Sequence, residues 1–151
     1  MSCQAIISPP PAVLNKTQSV GEALDILRRH GATALPVVDA KGHYLGVFGL
    51  KELIALVLPR AVRLGDDLGE LGFVSDSLDD LRGRLAALAR DNVGKHMAAH
   101  RSVRPETPLV EALLLLYRGD SYLPVVDGSG KLAGIVTAAD AMARVMEGEL
   151  P

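Results

Sequence analysis

The sequence predicts a mixed α/β (α+β) fold: two β-α-β-β-α repeats packed with pseudo-twofold symmetry, with a helical insertion between them. Three observations lead there. Residues 35–52, LPVVDAKGHYLGVFGLKE, return at 123–140 as LPVVDGSGKLAGIVTAAD. Each copy is flanked on both sides by apolar residues at helical spacing. A further stretch, residues 59–92, belongs to neither copy. Between the two quoted stretches seven of eighteen positions are identical: Leu-Pro-Val-Val-Asp, Gly42 with Gly130, and Gly46 with Gly134. Internal repetition of this kind has to be settled before any other feature is read.

The first repeat spans 5–58 and the second 93–147, each opening on a short extended piece, Val13-Leu14 or Val103-Arg104. A helix follows. Val20, Ala23, Leu24 and Leu27 stand at i, i+3, i+4 and i+7, one face of an amphipathic helix, and Val110, Leu113, Leu114 and Tyr117 repeat the spacing. Basic residues and then glycine close both helices, Arg28-Arg29 before Gly31 and Arg118 before Gly119. Thr107-Pro108 supplies an N-cap with proline in the first helical position. Two β-branched runs come next in each copy, Leu35–Val38 with Leu45–Phe48 and Leu123–Val126 with Ala133–Val136, joined by glycine-containing turns as in a hairpin. A second helix ends each unit, with Leu50, Leu53, Ile54 and Val57 on its apolar face in one copy and Ala138, Ala141, Met142 and Val145 in the other. A unit of about fifty residues is too small to hide its own apolar faces, so two copies must pack together.

In the insertion, 59–92, Pro59 ends the preceding helix and RLGDDLGELG reads as an acidic loop or short turn. Ser77 and Asp80 then form a capping box for a helix carrying Leu78, Leu81, Leu85 and Leu88. This helix either covers the core or docks a partner.

Composition narrows the function. Of 151 residues 48% are hydrophobic, yet there are three Tyr, two Phe and no Trp, so the core is aliphatic. A net charge of −2 offers no basic surface for nucleic acid or anionic lipid, and no run approaches the ~20 apolar residues of a membrane span. The single Cys3 excludes an internal disulfide and fits a reducing compartment; the N-terminus lacks the pattern of a signal peptide. A cytoplasmic protein with neither nucleic acid nor membrane as partner is expected. His96 and His100 lie four apart, but no further Cys or His completes a metal site, and both are expected in solvent. No base can be assigned to Cys3, and neither a Walker-type loop nor a nucleophile elbow occurs, so no enzymatic activity is expected.

The pattern T-x-x-V-x-E-A-L, LPVVD, and G-h-h-T-x-x-D resembles the cystathionine-β-synthase (CBS) domain, whose members usually occur as tandem pairs called Bateman modules. Val93-Gly94-Lys95-His96-Met97 resembles the lead-in to the second domain of such a pair. The resemblance implies a stand-alone regulatory pair, a disc-like homodimer associating through its helices, with an unidentified regulated protein as partner. It also implies an adenosine-containing ligand (AMP, ADP, ATP or S-adenosylmethionine) in the cleft between repeats, with no tightly bound cofactor. Carried over residue by residue, Gly134, Ile135, Thr137 and Asp140 contact that ligand. Asp140 accepts from the ribose hydroxyls, Thr137 meets a phosphate, and Tyr122 and Pro124 border the base.

The first copy departs from the pattern. Gly49 replaces the hydroxyl residue and Glu52 the aspartate, which leaves a degenerate second site. No basic residue stands just before either LPVVD run, where Thr33-Ala34 and Ser121-Tyr122 occur; His100, Arg101 and Arg104 are the remaining candidates for phosphate. Thr137-x-x-Asp140 also fits a capping box, so one pair of residues supports two readings. The alternative function is a ligand-free dimeric platform that docks a target through the middle helix.

Overall fold

The computed structural model describes residues 1–59, 77–119 and 121–148. After a 3-10 turn, Cys3–Ile6, the first repeat runs β1 (Leu14–Asn15), α1 (Val20–His30), β2 (Ala34–Val38), β3 (Tyr44–Gly49) and α2 (Leu50–Val57). The insertion contributes α3 (Leu78–Leu88), and a short α4 (Val93–His96) leads into the second repeat. That repeat holds α5 (Leu109–Tyr117), β4 (Tyr122–Val126), β5 (Leu132–Thr137) and α6 (Ala138–Glu147). Strand β1 pairs parallel with β2, and β2 antiparallel with β3. In the second sheet β4 and β5 are antiparallel, and Val103 bridges parallel to Val125 in the place of β1. Both hairpins slip register at the same point, after Val37 and after Val125.

The repeated aspartate explains itself at the turns. Asp39 accepts the backbone N–H of Lys41 and His43 at 2.8 and 2.9 Å; Asp127 accepts those of Ser129 and Lys131 at 2.9 and 3.0 Å. Hydrogen bonding to the charged form holds both carboxyls below the usual carboxylate range, led by the His43 amide for Asp39 and the Ser129 hydroxyl for Asp127. The two turns also pair with each other, Tyr44 N–H to Gly130 carbonyl and Leu132 N–H to Gly42 carbonyl.

Each repeat has its own core, and each core takes a piece from the other end of the chain. The first holds Leu14, Val20, Ala23, Leu27, Leu35, Val37, Phe48 and Leu53, completed by Val93. The second holds Val103, Ala112, Leu123, Val125, Val136 and Ala141, completed by Cys3 and Ile6. Val136 and Ala141 are smaller than their counterparts Phe48 and Leu53. The lead-in residues Cys3 and Ile6 join them in that core, where burying an isoleucine-sized side chain contributes about 1.5–3 kcal/mol. Cys3 is therefore a core residue and not an incidental one near a loose end; burial pushes its thiol up, with the Glu111 charge adding to the effect.

The exchange is reciprocal in hydrogen bonds as well. Ser8 and Ile135 bond through both backbone groups at 2.9 and 2.8 Å, as do Val47 and Ala98 at 2.9 and 2.8 Å. The chain segment 3–8 that precedes the first repeat thus packs on the second.

The helices differ from the sequence reading in their phase. In α5 Val110, Leu114 and Tyr117 are exposed, and Ala112 is buried with Leu109, Leu113 and Leu116 packed against the core. The helix is apolar almost all round, so periodicity did not fix which side faces inward. Its N-cap is Pro108; Thr107 instead accepts the Arg104 N–H at 2.9 Å and closes the preceding turn. On α2 and α6 only Leu53 and Ala141 are buried, leaving Leu50, Ile54, Met142 and Val145 outward. Ser77 and Asp80 do form a capping box on α3, which buries no residue fully and rests on α2. The expected acidic loop, 63–72, lies outside the described residues.

Gly46 and Gly134 are where the exchanged lead-ins touch the sheets. A Cβ on Gly46 would stand 2.5 Å from the Ala98 carbonyl oxygen; on Gly134 it would stand 2.6 Å from Ile7 and 2.7 Å from the Ser8 oxygen. Gly46→Ala and Gly134→Ala are each expected to destabilise by about 1–3 kcal/mol through overpacking, lowering the melting temperature by about 2–4 °C per kcal/mol. Gly128→Ala, with nothing within 4 Å of the added methyl, should leave thermal unfolding unchanged within about 0.5 kcal/mol.

Candidate functional site

The pairing of the two sheets leaves a cleft of about 270 Å³ between the repeats. One wall is Gly31–Ala34 with Pro36, from the end of α1 and the start of β2; the other is Ser121 and Tyr122, Ile135 and Thr137. Pro10 and Pro11 close it from the lead-in. Polar groups in the lining are the hydroxyls of Thr33, Ser121 and Thr137, the Tyr122 hydroxyl being enclosed, and no cationic side chain lines it. It is an apolar slot with hydroxyls at its rim.

Of the residues expected from sequence, Tyr122, Ile135 and Thr137 meet in this cleft. Thr137 is the N-cap of α6 and its Oγ1 accepts the Asp140 N–H at 3.0 Å. Asp140 lies one turn further, in the neighbouring hollow of about 300 Å³ lined by Ser8, Arg144 and Glu147. Its Oδ2 accepts the Ser8 hydroxyl at 3.1 Å. Pro124 is fully buried and Gly134 is buried beneath Ser8; the strand proline in the lining is Pro36, the first-repeat counterpart of Pro124. Sequence reasoning missed Pro10, Pro11 and Thr33, which reach the cleft only through the exchanged lead-in and the crossing of repeats.

The two acidic residues at equivalent positions do different work. Glu52 turns back and accepts the Gly49 N–H at 2.8 Å, capping α2. Asp140 leaves its own cap to Thr137 and presents its carboxylate to Ser8. The absence of a hydroxyl at Gly49 has a packing cause as well: a Cβ there would overlap the Thr33 carbonyl oxygen and the Ala34 methyl.

The histidines do not share a helical face. His96 ends α4, half-buried, with Nε2 2.9 Å from the Asp91 carboxylate, so it is paired and not solvated. His100 lies in extended chain with Nδ1 on the Arg101 carbonyl at 2.8 Å and its ring stacked on Tyr122. Among the described residues no group of three or more His, Cys, Asp or Glu could hold a metal ion. No helix among them is long and apolar enough to cross a membrane. Arg101 and Arg104 are exposed and lie outside the cleft lining.

Two repeats with exchanged lead-ins and a cleft between them define a tandem-repeat pair. The CBS domain family model matches residues 3–59 and 93–147, and the chain belongs to that family. It is 23% identical over 150 residues to an uncharacterized protein of Methanocaldococcus jannaschii, covering 89% of this chain and 85% of that one. The CBS domain-containing protein CBSX2 of Arabidopsis thaliana, chloroplastic, is 29% identical over 139 residues, and the match spans 89% of this chain and 58% of that protein's length. The crystal structure of CBSX2 in complex with AMP superposes with a TM-score of 0.69 at 27% identity, over 97% of this chain and 96% of that one. The cytosolic domain of the Mg2+ channel MgtE in complex with ATP gives 0.64 at 27% identity, over 95% of this chain and 48% of that one.

The division of labour between the acidic pair predicts unequal effects on stability. Glu52→Ala should destabilise the chain by about 0.5–2 kcal/mol in urea unfolding, since it removes a helix cap. Asp140→Asn should stay within about 0.5 kcal/mol of the wild type, because the amide oxygen still accepts from Ser8. Equal losses would show that both carboxylates serve only as caps.

Proposed function

We propose that this chain is a regulatory module that senses an adenosine-containing nucleotide, bound in the cleft between the repeats at the second-repeat site. The observation that carries the reading is Asp140, whose carboxylate stands beside the cleft without being consumed by the helix cap. The ribose takes the place of the Ser8 hydroxyl on that carboxylate, or shares it. The base enters between Ala34, Ile135 and the prolines, and a phosphate meets Thr137 at the N-terminus of α6, where open N–H groups favour an anion. That CBSX2 was crystallised with AMP and the MgtE domain with ATP supports this ligand class. The volume, about 270 Å³, and the uncharged lining favour a monophosphate over ATP, since nothing in the lining neutralises further phosphates.

Thermal shift tests the reading. AMP at about a hundred times its dissociation constant stabilises by about 2.7 kcal/mol, a rise of roughly 5–10 °C for a chain of this length. Wild type and Glu52→Ala should both show the rise, each from its own baseline. Asp140→Ala should lose it, and ATP should shift the wild type less than AMP. If no adenosine compound shifts the wild type, the module is not a sensor of this class.

A second reading concerns assembly. Val110, Leu114, Tyr117, Met142, Val145 and Met146 are exposed on α5 and α6, whereas the equivalent face of α1 and α2 is partly covered by α3 through Leu85. An exposed patch of that size marks an interface, and homodimerisation through α5 and α6 is proposed. Light scattering at tens of micromolar should give twice the chain mass, and Tyr117→Glu with Met146→Glu should return it to one; a wild-type monomer at that concentration removes the idea.

A further inference from the structure

We propose that Tyr122 is the internal occupant of a second cleft, so that the chain takes one nucleotide where its symmetry provides for two; this rests on the nucleotide reading above. The equivalences follow from the pairing. Val47 stands to Ala98 as Ile135 stands to Ser8, an offset of 88 across the sheets and 90 across the lead-ins. Applied to the open cleft, these offsets turn Pro10 and Pro11 into His100 and Arg101, Ala34 into Tyr122, Thr137 into Gly49, and Asp140 into Glu52. Thr33-Ala34 and Ser121-Tyr122 therefore form a wall common to both clefts.

The wall is asymmetric in size. Ala34 faces the open cleft with a methyl group. At the equivalent place on the other side stands a phenol, its ring stacked on His100 with centroids 6.4 Å apart and planes at 16°. Tyr44 donates its hydroxyl to the His100 carbonyl at 3.0 Å and holds the lead-in against the stack. The Tyr122 hydroxyl is enclosed and has no hydrogen-bond partner among the described residues; burial pushes its ionisation well above the usual range, and the Glu52 carboxylate adds to the effect. A flat ring with one polar edge, stacked on an aromatic neighbour beside a carboxylate, has the shape and polarity of a bound purine. The closed packing of Gly49 on Thr33 and Ala34 completes the seal.

Removing the ring should open a flat apolar cavity of the kind that accepts a ring-shaped molecule. Isothermal titration with AMP, and separately with adenine, which needs no ribose or phosphate contact, counts the sites. Wild type should take one AMP per chain, and Tyr122→Ala should take a second adenine. Should Tyr122→Ala fail to fold, Tyr122→Val keeps a strand-forming residue on β4 and serves instead. Tyr122→Phe keeps the ring and should retain one site with a melting temperature at or above that of wild type. A wild type that binds two AMP overturns the internal occupant while the sensing reading stands. A folded Tyr122→Ala with the same number of adenine sites as wild type overturns it too. If wild type binds neither AMP nor adenine, the sensing reading falls, and gain or absence of an adenine site in Tyr122→Ala still decides this proposal.

Discussion

The close approach of each lead-in to the other repeat's sheet is the constraint on which the rest of the molecule depends. Ser8 lies across Gly134 and Ala98 across Gly46, at distances that admit no side chain on either glycine. Because the contact is made twice with opposite partners, neither repeat has a complete core without the other. Val93 fills the first core and Cys3 with Ile6 the second. The pseudo-twofold axis is thus enforced by covalent connection and by backbone hydrogen bonds, in addition to apolar burial. It is also what carries Pro10 and Pro11 to the mouth of the cleft, so the site exists only in the assembled pair.

Given an enforced symmetry, function resides where the two copies differ. Three positions carry the difference: Ala34 against Tyr122, Gly49 against Thr137, and Glu52 against Asp140. They are coupled by geometry. Thr33 and Ala34 press on Gly49 so closely that no hydroxyl residue fits there, and with no side chain at the cap position Glu52 must cap α2 itself. Where Thr137 supplies the cap, Asp140 is released to face Ser8. A capping residue and a carboxylate free of the cap are therefore one choice and not two, made by whether the strand ends in Gly or Thr.

Much of this was legible in the sequence, and what was not fails for definable reasons. The repeat, the hairpins with their glycine-containing turns and the Ser77 cap depend on residues near one another in the chain, and all appear where spacing placed them. The stripe on α5 did not. Leu109–Tyr117 reads LVEALLLLY, apolar on nearly every side, so two phases fit equally. Aligning Glu22-Ala23 with Glu111-Ala112 would have chosen the right one. The exchange of lead-ins is a tertiary fact with no local signal, which is why sequence gives Cys3 no place in a core and leaves Pro10, Pro11 and Thr33 out of the expected site. Sequence placed Thr137 and Asp140 in one site; the structure puts Thr137 in the cleft and Asp140 in the hollow beside it, a separation that the spacing, shared by a capping box and a ligand pair, does not carry.

The walls of the cleft also suggest how occupancy would be read elsewhere in the molecule. Gly31–Ala34 joins α1 to β2 and Ser121-Tyr122 leads into β4, so a molecule bound there would touch both repeats at once and favour the arrangement in which those walls are correctly spaced. Thr137 begins α6, and Met142, Val145 and Met146 lie along the exposed side of that same helix. A shift of α6 at its capped end moves that face as a rigid element, while α1 and α2 are steadied by α3, which Arg84 ties to the last turn of α2 through the Val57 carbonyl at 3.0 Å. The insertion and the site then have complementary effects. One half of the pair is braced by its own extra helix, and the half that presents Thr137 and Asp140 is the one whose helical face remains open.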